Sequence, residues 1–102
     1  MKRIIPTSFP SDPVVTSVTT IALAVKAART QAGLRMADAA LAAHVSLQTM
    51  ADIEAGRPGV SIGKILQVTS ALGVDLLAIP AVQRNPIRNH LAALLKDSDG
   101  ES

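Results

Sequence analysis

The stretch that decides the fold is MADAALAAHVSLQTMADIEAG, residues 36–56. Met36 to Ala43 is alanine-rich, has no proline or glycine, and reads as one short helix. Ser46 is a good N-cap, and a second short helix follows from Leu47 to Ala55 and stops at Gly56. Only His44 and Val45 lie between the first helix and that cap, so the connection is a tight turn. In the second helix Met50 and Ile53 are spaced i, i+3 and turn inward. Leu47, Gln48 and Asp52 are then left outward, with Thr49 beside them.

Working outward, Val18, Ile21, Ala22, Val25 and Ala28 recur at helical spacing upstream, and Gly33 follows as a C′ residue. Downstream, Arg57-Pro58-Gly59 is a turn and Ser61 caps a further helix. Its apolar positions are Ile62, Ile65, Leu66, Val68 and Leu72, and Gly73 closes it. The expectation is an all-α bundle of four to five short helices, with a short strand and a C-terminal helix as additions left open. Residues 16–79 would form the domain. Residues 1–15, with Pro6, Pro10 and Pro13, read as an extended or disordered arm. Val74 to Val82, broken by Pro80, reads as an extended segment or edge strand. Asn85-Pro86 offers an N-cap with proline at N1, leading into the stripe Ile87, Leu91, Leu94, Leu95. Residues 80–97 form a C-terminal extension, and 98–102 a polar, flexible tail.

At 102 residues there is room for one core. A chain 48% hydrophobic and 18% charged is globular, not disordered. Phe9 is the sole aromatic residue, so the core is built of small aliphatic side chains that let helices approach closely. The net charge of +2 does not by itself imply a nucleic-acid partner; positive charge would have to be gathered on one face. With no cysteine, disulfides and thiolate chemistry are excluded. No run approaches the roughly 18 apolar residues of a membrane span, and the basic start is not followed by a signal-peptide core. The expectation is a soluble, cytoplasmic protein without membrane association. His44 and His90 lie in different elements with no cysteine nearby, so no metal site and no cofactor is expected. No nucleophile is placed beside a base by any spacing here, and the expectation is a protein that is not an enzyme.

Two short helices joined by a tight turn within a bundle are a helix-turn-helix arrangement. The first helix braces the second, whose outward face fits a major groove about 12 Å wide. Several positions then carry a family resemblance: Arg29, Gly33-Leu34, Ala40, Val45-Ser46, Ile53-Glu54, Gly56 and Ala71-Leu72-Gly73-Val74, followed by Asp75-Leu76-Leu77. On these, residues 21–79 resemble the helix-turn-helix domain of the Xre and phage lambda-type repressors, and within that superfamily they are similar to antitoxins of the HipB kind. The resemblance implies that Leu47, Gln48 and Asp52 touch base edges. Gln48 would pair with adenine, Leu47 would meet a thymine methyl, and Asp52 would accept from a cytosine amine. It places Ser46, Thr49, Arg57 and Lys64 at backbone phosphates, and makes Arg29 and Glu54 a structural ion pair. The family usually opens its second helix with Ser or Thr and then Gln; Arg35 and Met36 stand there in this chain, and Arg35 can reach a phosphate instead.

Dimerisation is expected as well, since one reading helix covers few base pairs and a two-fold pair would match major grooves about 34 Å apart. The candidate interface is Leu76, Leu77, Ile79 and Val82 with the stripe Ile87, Leu91, Leu94 and Leu95; the stripe can equally close the domain's own core. The resulting expectation is a dimeric repressor that binds a double-stranded operator. The resemblance adds an autoregulating antitoxin and a HipA-like kinase as its toxin partner. The alternative is a protein-interaction module of the same fold with weak DNA affinity.

Overall fold

A computed structural model describes residues 3–100, with side chains as far as Lys96. Five α-helices follow in order: α1 Val18–Gln31, α2 Met36–Ala43, α3 Leu47–Glu54, α4 Ile62–Ala71 and α5 Arg84–Gly100, the last preceded by a 3-10 turn at Ala81–Gln83. The described residues contain no strand.

Local chemistry explains where the first four helices start. The hydroxyls of Ser17, Ser46 and Ser61 accept from the backbone N–H groups of Thr20, Thr49 and Lys64, which satisfies donors left unpaired at each N-terminus. At α2 the cap position is Arg35, which has no side-chain acceptor. There Asp38 reaches back and takes the Arg35 N–H at 3.3 Å, half of a capping box.

The first four helices end in the same hydrogen-bonded motif. A residue with positive φ is followed by one whose N–H bonds five residues back: Leu34 to Arg29, Val45 to Ala40, Arg57 to Asp52 and Val74 to Thr69. Glycine holds the positive φ in three of them, and His44 holds it at φ 58° in the turn between α2 and α3.

The core sits among α1 to α4. Val25, Ala39, Ala40, Ala43, Met50, Ile53, Ile65 and Val68 form one buried cluster, with Ile21, Met36, Val45, Val60, Leu72 and Leu76 packed around it. Three alanines on α2 let α3 and α4 pack tightly against it, and Met50, wholly buried, fills the space between. Burying such a side chain contributes about 1.5–3 kcal/mol.

Of the apolar positions on α4, Ile62 and Leu66 are 64% and 49% exposed, because the Ile65–Val68 row takes the inner face and these two fall on its flank. Residues 74–80 form neither helix nor strand, so of the two readings left open there the edge strand is not found. Asn85 does not cap the last helix. The 3-10 turn feeds directly into it at Arg84, Asn85 Oδ1 accepts from Arg88 Nη1 at 3.2 Å, and Pro86 sits in the first turn, where a missing N–H costs no intrahelical bond. The helix continues through residues 98–100 of the expected tail; residues 101 and 102 lie outside the described residues, as do residues 1 and 2 of the arm.

The arm from residue 3 to 15 runs extended and returns to the end of α1. Thr7 N–H donates to Thr30 Oγ1 at 2.9 Å, Gln31 Nε2 donates to the Thr7 carbonyl at 2.8 Å, and Arg88 Nε donates to Asp12 Oδ1 at 3.0 Å. Thr30 is buried, and its hydroxyl donates in turn to the Lys26 carbonyl at 2.8 Å. The arm therefore joins α1 to α5.

Candidate nucleic-acid interface

On α3 the helical period divides the residues into two faces. Met50 and Ile53 are buried at 0% and 3% exposure, while Gln48 on the opposite face is exposed and Leu47, on the flank three residues before Met50, is 54% exposed. The helix packs on α1 and α2, and the side that carries Gln48 faces outward.

Behind this face the Arg29 guanidinium of α1 grips Glu54 with two hydrogen bonds, from Nε to Oε2 and from Nη2 to Oε1, the second at 2.9 Å. Its Nη1 donates to the Leu34 carbonyl at 2.9 Å. The two side chains are 11% and 5% exposed. This bidentate pair fixes the end of α3 on α1 and so fixes the angle at which the outward face is presented.

Charge on the outward face is more tightly held than sequence spacing conveyed. Gln48 Nε2 donates to Asp52 Oδ1 at 2.9 Å, and Arg57 Nε lies 3.2 Å from the same oxygen. The second contact follows from the motif that ends α3: the Arg57 N–H bonds the Asp52 carbonyl, which stacks the two side chains although they are five residues apart. Arg35 is held similarly, with Nε 3.0 Å from Asp38 Oδ2. The side-chain hydrogen bond from Arg35 holds the Asp38 carboxyl below its ordinary 3.8 and pushes the Arg35 guanidinium further up.

Ser46 and Thr49 share a hydroxyl bond of 3.0 Å as part of the cap. Lys64 is exposed in the first turn of α4 and forms no ion pair among the described residues. Leu47, Gln48, Asp52, Thr49, Ser46 and Arg57 thus share α3 and its two ends, Arg35 lies at the start of α2, and Lys64 on α4. Asp38 was missed as a member of the set, although its i, i+3 spacing from Arg35 was readable.

The apolar candidates near the C-terminus separate. Leu77, Ile79, Ile87, Leu91, Leu94 and Leu95 line one open groove of about 670 Å³ between α5, the 75–79 segment and the arm. Leu94 and Leu95 are 52% and 50% exposed. Leu76 turns the other way and packs on the four-helix core, and Val82 stands 84% exposed outside the groove. The stripe therefore does not close the α1–α4 core.

A short bracing helix, a tight turn and a second helix with one buried and one outward face define a helix-turn-helix protein. Residues 21–80, more than half of the chain, match the family model described as a helix-turn-helix domain, and the chain belongs to that family. It is also similar to an uncharacterized HTH-type transcriptional regulator, y4mF, of Sinorhizobium fredii (strain NBRC 101917 / NGR234), with 43% identity over 56 residues that cover 53% of this chain and 74% of that protein. No solved structure matches the chain. No helix among the described residues is long and apolar enough to cross a membrane.

Proposed function

We propose that this chain is a DNA-binding transcriptional regulator, acting as a sequence-specific repressor on a double-stranded operator. One observation carries the reading: Leu47 and Gln48 at the start of α3 are exposed, while Met50 and Ile53 lock the helix into the core. Gln48 reads adenine and Leu47 meets a thymine methyl. Asp52, whose Oδ1 is already engaged, has its second oxygen left for a cytosine amine. Ser46, Thr49 and Lys64 meet phosphates, joined by Arg35 and Arg57 once these leave their carboxylates. Repression needs no chemistry, since occupancy of the operator suffices.

The groove lined by Leu91, Leu94 and Leu95 supports a dimer, with Leu77, Ile79 and Ile87 contributing to the interface. On the resemblance alone, the repressor is of the Xre and HipB kind and serves as an autoregulating antitoxin for a HipA-like kinase.

The test is a gel-shift titration against the DNA upstream of its own gene at two salt concentrations, with random duplex as competitor. A specific complex that weakens with salt is expected, with Gln48→Ala relaxing base preference and Arg57→Ala weakening binding to every sequence. A second reading, a protein-interaction module, is favoured by two observations. Arg35 and Arg57 are each paired with a carboxylate of the chain, and Leu41, Ile62 and Leu66 are 78%, 64% and 49% exposed. Binding no better than to random duplex would establish that second reading over the first.

A further inference from the structure

We infer that Asp52 is a positioning residue for base reading: its Oδ1 orients the Gln48 amide and holds Arg57 off the phosphates, so that one carboxylate raises specificity and lowers indiscriminate affinity. The inference rests on the DNA-binding reading and deepens it.

The geometry is a three-membered network on the exposed side of α3. Gln48 and Asp52 are one helical turn apart, and Gln48 Nε2 donates to Oδ1 at 2.9 Å. An adenine presents an acceptor at N7 and a donor at N6, so a reading glutamine must offer N–H and C=O together in one plane. A free glutamine amide rotates among several orientations. When the Nε2 hydrogen trans to Oε1 is the one bound to Asp52, the other Nε2 hydrogen and Oε1 stay free side by side, the pair that adenine needs. The amide assignment is also set by this bond, because a carboxylate can only accept.

The same oxygen lies 3.2 Å from Arg57 Nε, and the Arg57 side chain is 68% exposed whereas that of Asp52 is 28% exposed. Phosphates on any sequence compete for this guanidinium, and Asp52 competes against all of them equally. Its cost is sequence-independent, while its gain at Gln48 is realised only on adenine. An acidic residue on a DNA-reading helix is thereby given a purpose beyond repelling the ligand.

The experiment uses the full chain and a pool of 20-base-pair duplexes randomised in sequence. The wild type selects a preferred duplex, and affinities are then measured on that duplex, on a version with the selected adenine replaced, and on a scrambled one, at several salt concentrations. For Asp52→Ala, adenine preference should fall about 5- to 10-fold while affinity for the scrambled duplex rises several-fold, with a salt slope steeper by about one phosphate contact. Asp52→Asn keeps an acceptor for Gln48 but loses the charge facing Arg57, so it should retain most of the adenine preference and show the steeper slope. In a Gln48→Ala background, replacing Asp52 should change no preference at the adenine position, whatever it does at the cytosine; in an Arg57→Gln background it should leave the salt slope unchanged.

Undiminished adenine preference in Asp52→Ala, with wild-type selection intact, overturns the inference and leaves the DNA-binding reading standing. If the wild type enriches no sequence, the DNA-binding reading fails and the inference falls with it.

Discussion

Replacing Arg29 by methionine tests the framework that aims α3. The guanidinium makes two hydrogen bonds to Glu54 and a third to the Leu34 carbonyl. The two charged side chains are 11% and 5% exposed, so the carboxylate left behind has almost no access to water. Breaking such a pair by removing one partner costs about 3–5 kcal/mol. Glu54→Leu should cost a similar amount, because the orphan is then the guanidinium. Replacing both, Arg29→Met with Glu54→Leu, removes the desolvated charges together and leaves mainly the Leu34 carbonyl without its donor, a loss of about 1 kcal/mol. The double variant should therefore be more stable than either single one.

A domain this size has about 5–15 kcal/mol in total, so each single variant loses a large share of it. With a urea m-value of about 1.5 kcal/mol/M, the midpoint should fall by about 2 to 3 M in either single variant and by under about 1 M in the double. The chain has no tryptophan or tyrosine, so unfolding is followed by far-ultraviolet circular dichroism, which reports the helices directly. A single-variant loss below about 1 kcal/mol would refute the reasoning, as would a double variant whose loss equals the sum of the two singles.

Other consequences are equally direct. His44→Gly should raise stability by about 0.5–1 kcal/mol in the same urea assay, since φ 58° strains a side-chain-bearing residue and glycine accepts it at a smaller entropic cost. Thr30→Val, of nearly the same shape, should speed hydrogen exchange at the Thr7 amide and leave α3 amides protected; unchanged exchange at Thr7 would mean the arm is held elsewhere. Asp12 and Asp38 should titrate below the ordinary 3.8 by carbon-detected NMR, Asp12 because the Val14 N–H bonds its carboxylate and Asp38 because Arg35 does. A depressed folded value places these contributions above the unfolded pKa, and they are lost as the pH falls through the folded one. Arg88→Gln should move Asp12 upward and leave Asp38 unmoved.

Among the helices, what could be read without coordinates was whatever the backbone settles within a few residues. Ser46 and Ser61 cap helices because a hydroxyl meets an N–H three residues on, and Gly33, Gly56 and Gly73 end helices because the closing bond needs positive φ. The inward turn of Met50 and Ile53, and with it the outward turn of Gln48, follows from helical period alone, whereas Leu47 stands three residues before the buried Met50 and its 54% exposure was decided by packing.

Whatever depended on competition between distant groups was decided by tertiary structure. Period alone gave Ile62 and Leu66 the same standing as Ile65 and Val68, and only the direction from which α2 and α3 approach separates them. The arm is held by bonds spanning 23 and 24 residues to Thr30 and Gln31, and by one spanning 76 to Arg88; no local pattern encodes these. The charges of Arg35, Asp52 and Arg57 were visible in the sequence, but whether each faces solvent or a partner is a matter of a few ångströms. A cap, a helical face or a pair at i, i+3 such as Arg35 and Asp38 is made by chain order and is written in the sequence, whereas a pair such as Arg88 and Asp12 is made only by tertiary distance.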